Sequence, residues 1–283
     1  MKLQNPEHKR TVRNLVIFTV VVLASGWLGY GLDRLMNNPS EQQLGLLLWL
    51  ITPLITALLL RAFAGDGWKD FGLRPSFKSN AIWYTASLLI YPLVAVLVLA
   101  IGGVLGLVTV PNFSFSLLLS VFAGGLIAAF IKNIFEEFAW RGYLAPKVYA
   151  LGLNAYVGHA IVGLVWGCWH IPYWLFVLGR AQIQASAGQD LAAFIPMAIL
   201  NISAASIAYG EIRLLTHSVW PPVIMHTVGN ALIDVLIAQG LIHIATGMEF
   251  LVSPLQSSLL TLVFLLWAGI WLHQRRVRQQ LAS

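Results

Sequence analysis

The sequence predicts an all-α fold: a polytopic transmembrane bundle of about eight helical spans, with both termini on the cytoplasmic side. Two observations predict it, the scarcity of charge and the places where charge does occur. Of 283 residues, 58% are hydrophobic and only 10% charged, whereas a soluble domain carries roughly 25% charged residues. Too few polar side chains remain to cover a water-facing surface of this size. The 11 Trp and 8 Tyr suit two membrane–water interfaces, where amphipathic rings settle.

A membrane-crossing helix needs about 20 mostly apolar residues. Runs of that kind lie near Asn14–Gly31, Leu44–Leu60, Ala81–Val108, Phe115–Phe135, Tyr156–Leu178, Leu191–Tyr209, Val223–Leu241 and Ser257–Leu272. The first follows Lys9 and Arg10 as the apolar part of a signal peptide does, but it is long and no A-x-A site follows. It is therefore read as a retained span. No repeat, low-complexity segment or soluble domain interrupts the series, so residues 1–283 are read as one integral membrane domain.

The basic residues give the orientation. Lys2, Lys9, Arg10 and Arg13 precede the first span, and Arg61, Lys69, Arg74 and Lys78 fall between the second and third. Arg141 and Lys147 follow the fourth, Arg213 the sixth, and Arg275, Arg276 and Arg278 the last. Arg34 and Arg180 fall on the other side and Lys132 inside a span, so 14 of the 17 share one side. That excess marks the cytoplasmic face, and an odd number of spans would abolish it. The net charge of +6 is thus a matter of lipid headgroups; the bilayer is an expected partner and nucleic acid is not. The single Cys168 excludes an intramolecular disulfide and sits in an apolar run as a small packed residue.

Polar residues at membrane depth carry the functional information, because a charge in hydrocarbon costs about 2.5–3.5 kcal/mol on insertion scales. Three groups qualify. The first is Glu136, Glu137 and Arg141 at the end of the fourth span. Adjacent helical residues point about 100° apart, so the two glutamates have different tasks. Glu137 can pair with Arg141 at i,i+4, which leaves Glu136 to face a cavity. A carboxylate partly withdrawn from water can act as a general base, and Lys132, four residues earlier, would oppose that effect if it reached Glu136. An interfacial helix end with an ordinary salt bridge is the plain alternative.

The second group is Trp166-Gly-Cys-Trp-His170-Ile-Pro172. His170 lies deep in an apolar run with Trp166 one turn before it. Gly163 and Gly167 allow close approach of a neighbouring helix, and Pro172 can loosen the helix beside the histidine. The third is His226 and Asn230, at i,i+4 early in the seventh span. Both can donate to a developing oxyanion, and the histidine could instead bind a metal. Their plain reading is polar contact between helices. Trp220-Pro-Pro222 before them marks an interfacial helix start. Asp234, one turn after Asn230, is a candidate supporting residue. His8, His217, His243 and His273 lie near span ends, and His159 has no polar company in the sequence. Together the three groups supply what hydrolysis needs: a base for water, a group to orient it, and donors for the oxyanion.

Glu136-Glu137-x-x-x-Arg141, an aromatic-x-x-x-His motif ending at His170, and His226-x-x-x-Asn230 resemble the CPBP family, the CAAX-processing and bacteriocin-processing (Abi) membrane proteases. The resemblance runs over roughly Gly124–Leu241, within a core taken as residues 114–241. Residues 14–108 are less characteristic N-terminal spans and 257–272 a C-terminal span. The Phe71-Gly-Leu-Arg-Pro75 loop is similar to a segment that often precedes this core. The second motif usually begins with Phe, and here it begins with Trp166.

The resemblance implies an intramembrane endopeptidase in a bacterial plasma membrane, acting on a peptide or protein substrate. It implies that Glu136 and His170 activate water, that His226 and Asn230 hold the oxyanion, and that Glu137 and Arg141 brace the site. No cofactor is favoured. A zinc-dependent version would use Glu136, His170 and His226 as ligands. A non-catalytic membrane scaffold and a proton-coupled transporter are the readings from other classes. His170 would stand about 20 Å along its helix from Tyr156, so the expected site is a deep conical cavity open to the cytoplasm.

Overall fold

The computed structural model describes residues 5–36, 44–111, 113–254 and 257–282, without the side chains of residues 233–235 and 237–238. It is built of helices: α1 (Pro6–Leu35), α2 (Leu44–Phe63), α3 (Phe77–Val104), α4 (Phe115–Ala139), α5 (Ala145–Tyr149), α6 (Ala155–Trp169), α7 (Gly179–Ala187), α8 (Leu191–Thr216), α9 (Trp220–Ala238), α10 (Glu249–Val252) and α11 (Leu259–Ala282). Two short strands, β1 (Val108–Thr109) and β2 (His243–Ile244), pair antiparallel; the apolar run expected to reach Val108 leaves its helix at Val104 to make this ladder. Helix starts carry side-chain caps where the chain supplies them. Asn5 accepts from the Glu7 N–H ahead of Pro6, Ser114 caps α4, Asn154 caps α6 and Asp190 caps α8.

Six helical stretches of the described residues are long and apolar enough to cross a membrane: Pro6–Leu35, Leu44–Phe63, Phe77–Val104, Phe115–Tyr149, Ala155–Ala187 and Leu191–Thr216. The chain is thus a multi-pass membrane protein. Eight such stretches were expected, and the last two runs fold as α9 and α11 without joining the six. Part of α9 lies outside the described side chains, and α11 continues past Leu272 through Arg275, Arg276 and Arg278.

Close helix contacts occur where side chains are smallest. A Cβ on Gly163 would stand 2.6 Å from the Ser203 backbone, and one on Gly167 3.3 Å from that of Ile199, so α6 lies directly against α8. The fifth apolar run is not one continuous α-helix. α6 stops at Trp169 with His170 as its C-cap, Pro172 follows, and Tyr173–Leu178 forms a π-helical turn. The fourth run likewise passes through a π-helical turn at Trp140–Leu144, one turn after the paired glutamates. Such turns insert a residue into the helical ladder and re-aim the side chains beside it.

The loop between α2 and α3 holds this second turn in place. The fully buried Arg61 guanidinium donates to the Gly142 carbonyl (2.6 Å), to the Gly67 carbonyl and to Asp70 (2.7 Å). Phe71 fills the space left by Gly142, where a Cβ would come within 2.7 Å of its ring. Arg213 of α8 donates to the backbone carbonyls of Arg141 and Asp70. The Asp70 carboxylate also receives Lys147 at 3.0 Å. Burial acts to raise the pKa of Asp70, and the hydrogen bonds and charges of Arg61 and Lys147 outweigh it, so its carboxyl sits below the ordinary value.

Candidate active site

Three helices bring the expected residues together: α4 carries Glu136 and Glu137, α6 ends on His170, and α9 carries His226 and Asn230. Glu136 is 1% exposed. Its Oε2 accepts the Trp166 indole N–H at 3.0 Å, and its Oε1 lies 3.2 Å from the Lys132 ammonium. Oε2 of Glu136 is thus hydrogen-bonded and Oε1 ion-paired, and Lys132 does reach the carboxylate. The lysine, 40% exposed, puts a positive charge beside the buried carboxylate.

Glu137 is fully buried and its Oε1 takes two donors, Nη1 of Arg141 at 3.0 Å and Nδ1 of His226 at 2.9 Å. The Arg141 guanidinium lies between two rings, 4.2 Å from the centre of Trp166 and 4.3 Å from that of Tyr209. An arginine without water needs such company, since ring faces attract a cation more strongly once it is desolvated. Trp166 and Tyr209 also meet the His226 ring edge-on, at 5.3 and 5.7 Å. Tyr209 in turn donates to the Tyr91 hydroxyl at 3.3 Å, and Gly229 leaves the room that Tyr91 occupies.

His170 is half-buried at the end of α6. Its Nδ1 faces the Trp166 carbonyl at 2.9 Å, and a carbonyl only accepts, so Nδ1 carries the proton and Nε2 presents a lone pair. Trp174 stacks on the ring, and Trp169 and Trp49 stand edge-on to it. No hydrogen bond joins Glu136 directly to His170 or His226 among the described residues. Trp166 is the physical link, with its side chain on Glu136 and its backbone on His170.

Asn230 donates from Nδ2 to Oδ1 of Asn133, at 3.2 Å. It also lines a cavity of about 590 Å³ together with Lys132, Tyr173 and the small residues Gly124, Gly125, Ala128, Ala129 and Ala231. Glu136, His170 and His226 do not line that cavity, which runs from Lys132 along α4 toward Val121. Tyr173 also lines a second cavity of about 430 Å³, with Trp49, Phe176, Tyr30 and Asp33.

Sequence reasoning missed Asn133, Tyr209 and the bonding role of Trp166. Asn133 had a signal, since it precedes Glu136 and Glu137 by three and four residues at membrane depth. Tyr209 had none, because its partners Tyr91, Arg141, Trp166 and His226 come from four other segments. Asp234 lies outside the described residues. His159, expected to lack polar company, bonds to Glu211 and Tyr149 in a separate cluster. Among the described residues no three His, Cys, Asp or Glu side chains are placed to share a metal ion.

Residues 117–232 match the family model described as type II CAAX prenyl endopeptidase Rce1-like. None of the curated proteins matches the chain.

Proposed function

We propose that this chain, whose core is that of the CAAX-processing and bacteriocin-processing family of membrane peptidases, is a glutamate-dependent intramembrane endopeptidase. The observation that carries the reading is the set of bonds joining α4, α6 and α9, in which one glutamate is held from the His170 helix and the next from His226. Its substrate is a peptide or protein segment at the membrane. The eight-span reading, with both termini in the cytoplasm of a bacterial plasma membrane, rests on the basic-residue asymmetry.

In this reading peptide hydrolysis uses these residues in turn. A water held between Glu136 and Nε2 of His170 gives a proton to the Glu136 carboxylate as its oxygen bonds to the substrate carbonyl carbon. The carbonyl oxygen becomes an oxyanion and meets a donor from the amide of Asn230 and, when the imidazole carries both protons, from Nε2 of His226, whose Nδ1 already donates to Glu137. The C–N bond then breaks, and the proton on Glu136 passes to the leaving amine. Glu137 and Arg141 keep the imidazole of His226 in place. Lys132 must turn from Oε1 toward the cavity for that oxygen to receive the proton, and its exposure gives it the room.

Glu136→Gln tests the reading. Its shape and its bond to Trp166 are retained, but no base remains. Cleavage of a membrane-associated peptide by the purified variant in detergent should fall by about 100-fold or more, with unfolding temperature close to that of the unaltered protein. The unaltered protein should keep full activity after exhaustive chelation. Normal cleavage by the variant would remove Glu136 as the base, and loss of activity on chelation restored by zinc would restore the metal reading.

A further inference from the structure

Helices α4 and α9 are joined by two polar bonds, not one. Glu137 meets His226 and Asn133 meets Asn230. On α4 the two residues are four apart, as they are on α9, and the pairing runs in opposite directions. The lower number on one helix meets the higher number on the other, with the same register for both bonds. These are two rungs of one antiparallel ladder, a helical turn or about 6 Å apart. Each rung holds one member of the pair assigned above to the oxyanion.

The upper rung has an asymmetry that packing alone does not account for. Asn133 is fully buried, and among the described residues its Nδ2 has no hydrogen-bond partner. A buried amide donor left without a partner costs about 1–3 kcal/mol. A leucine, with the same number of side-chain heavy atoms, would occupy the position without that cost. What asparagine supplies and leucine does not is Oδ1, the acceptor for Asn230. An amide nitrogen carries two hydrogens about 120° apart. Binding one of them to Asn133 fixes the plane of the Asn230 amide, and its second N–H is then directed by α4. Asn230 is half-exposed and lines the cavity, whereas Asn133 is sealed behind it.

We propose that Asn133 is a positioning residue for the reaction: it holds the Asn230 amide so that one N–H faces the substrate carbonyl, as Glu137 holds His226. The inference rests on the endopeptidase reading. Asn133 itself touches no substrate.

The test is a double-mutant cycle with Asn133→Leu and Asn230→Ala, read by steady-state cleavage of a membrane-associated peptide. Asn133→Leu should lower kcat about 10- to 100-fold with KM changed less than about twofold, within the range for loss of one oxyanion donor. The double variant should be no slower than Asn230→Ala alone, because both changes remove the same directed N–H. Thermal unfolding should show Asn133→Leu as stable as the unaltered protein, since the unpartnered donor is gone. Unchanged kcat in Asn133→Leu would overturn the proposal, and so would losses that multiply in the double variant. If leucine prevents folding, Asn133→Ala replaces it in the same cycle with the same expected outcomes. If the unaltered protein cleaves nothing while remaining folded, it is the endopeptidase reading that fails.

Discussion

Trp166 is the most heavily used side chain in the site. Its ring faces Arg141, its N–H bonds Glu136, and its carbonyl sets the tautomer of His170. Two of these roles belong to any aromatic at this position, and one requires indole. Trp166→Phe therefore separates them. The ring over Arg141 and the backbone carbonyl remain, while Glu136 loses one donor. A hydrogen bond to a charged group contributes about 1.5–3 kcal/mol, so cleavage should fall roughly tenfold with little change in unfolding temperature. Trp166→Ala should in addition destabilise the fold, because Arg141 would keep only Tyr209. Equal unfolding temperatures for the two variants would refute the stacking role, and unchanged cleavage by Trp166→Phe would refute the bond. At this scale the sequence was partly legible. Spacing disclosed the Glu137–Arg141 pair, because four residues are one helical turn. It could not disclose that Lys132 would reach Glu136 or that indole would bond it, since both depend on how α4 turns against α6.

The π-helical turn after Glu137 is held by an element that the sequence presents only as a polar connection. The Asp66–Pro75 segment was recognisable from its Gly and Pro. Its docking was not, because its partners Arg61, Gly142, Lys147 and Arg213 are scattered over 150 residues of sequence. Asp70 gives this clamp a pH dependence that can be measured. Its carboxyl lies below the ordinary value because Arg61 and Lys147 favour the ionised form over the opposing effect of burial. A depressed carboxyl stabilises the fold above its unfolded-state pKa of about 3.9, and that contribution is lost as pH falls through the lower folded value. Partial exposure makes the effect modest. Thermal unfolding in detergent should find Asp70→Asn less stable than the unaltered protein at pH 6–7, with the gap closing progressively below about pH 4. A gap that stayed constant into acid would show that the Asp70 charge contributes nothing to the clamp.

For the molecule as a whole, hydropathy disclosed helices because each must satisfy its own backbone within lipid, and among the described residues the apolar runs are helical over most of their length. What hydropathy did not disclose is how the last helix is fixed. Glu211 of α8 accepts from His159 of α6 and from His273 and Arg276 of α11. This cluster ties the C-terminal helix to the bundle through residues that look unrelated in sequence. It also bears on topology. Arg276 binds Glu211 near the end of α8 that carries Arg213, so the basic end of α11 lies on the same side of the bundle as the Arg61–Asp70 clamp that Arg213 also joins. We propose that this side is cytoplasmic, because positively charged flanks tend to be retained there. With Cys168 replaced by serine, single cysteines at the exposed positions Lys69, Ala185 and Arg278 can be labelled in a bacterial host with a membrane-impermeant maleimide. Ala185→Cys should react in intact spheroplasts. Lys69→Cys and Arg278→Cys should react only after the membrane is opened. Labelling of Arg278→Cys from outside while Lys69→Cys stays protected would place the C-terminus on the far side and give the chain an odd number of spans. That result would also be incompatible with the Glu211–Arg276 bond, because one arginine cannot reach α8 beside the clamp from across the bilayer.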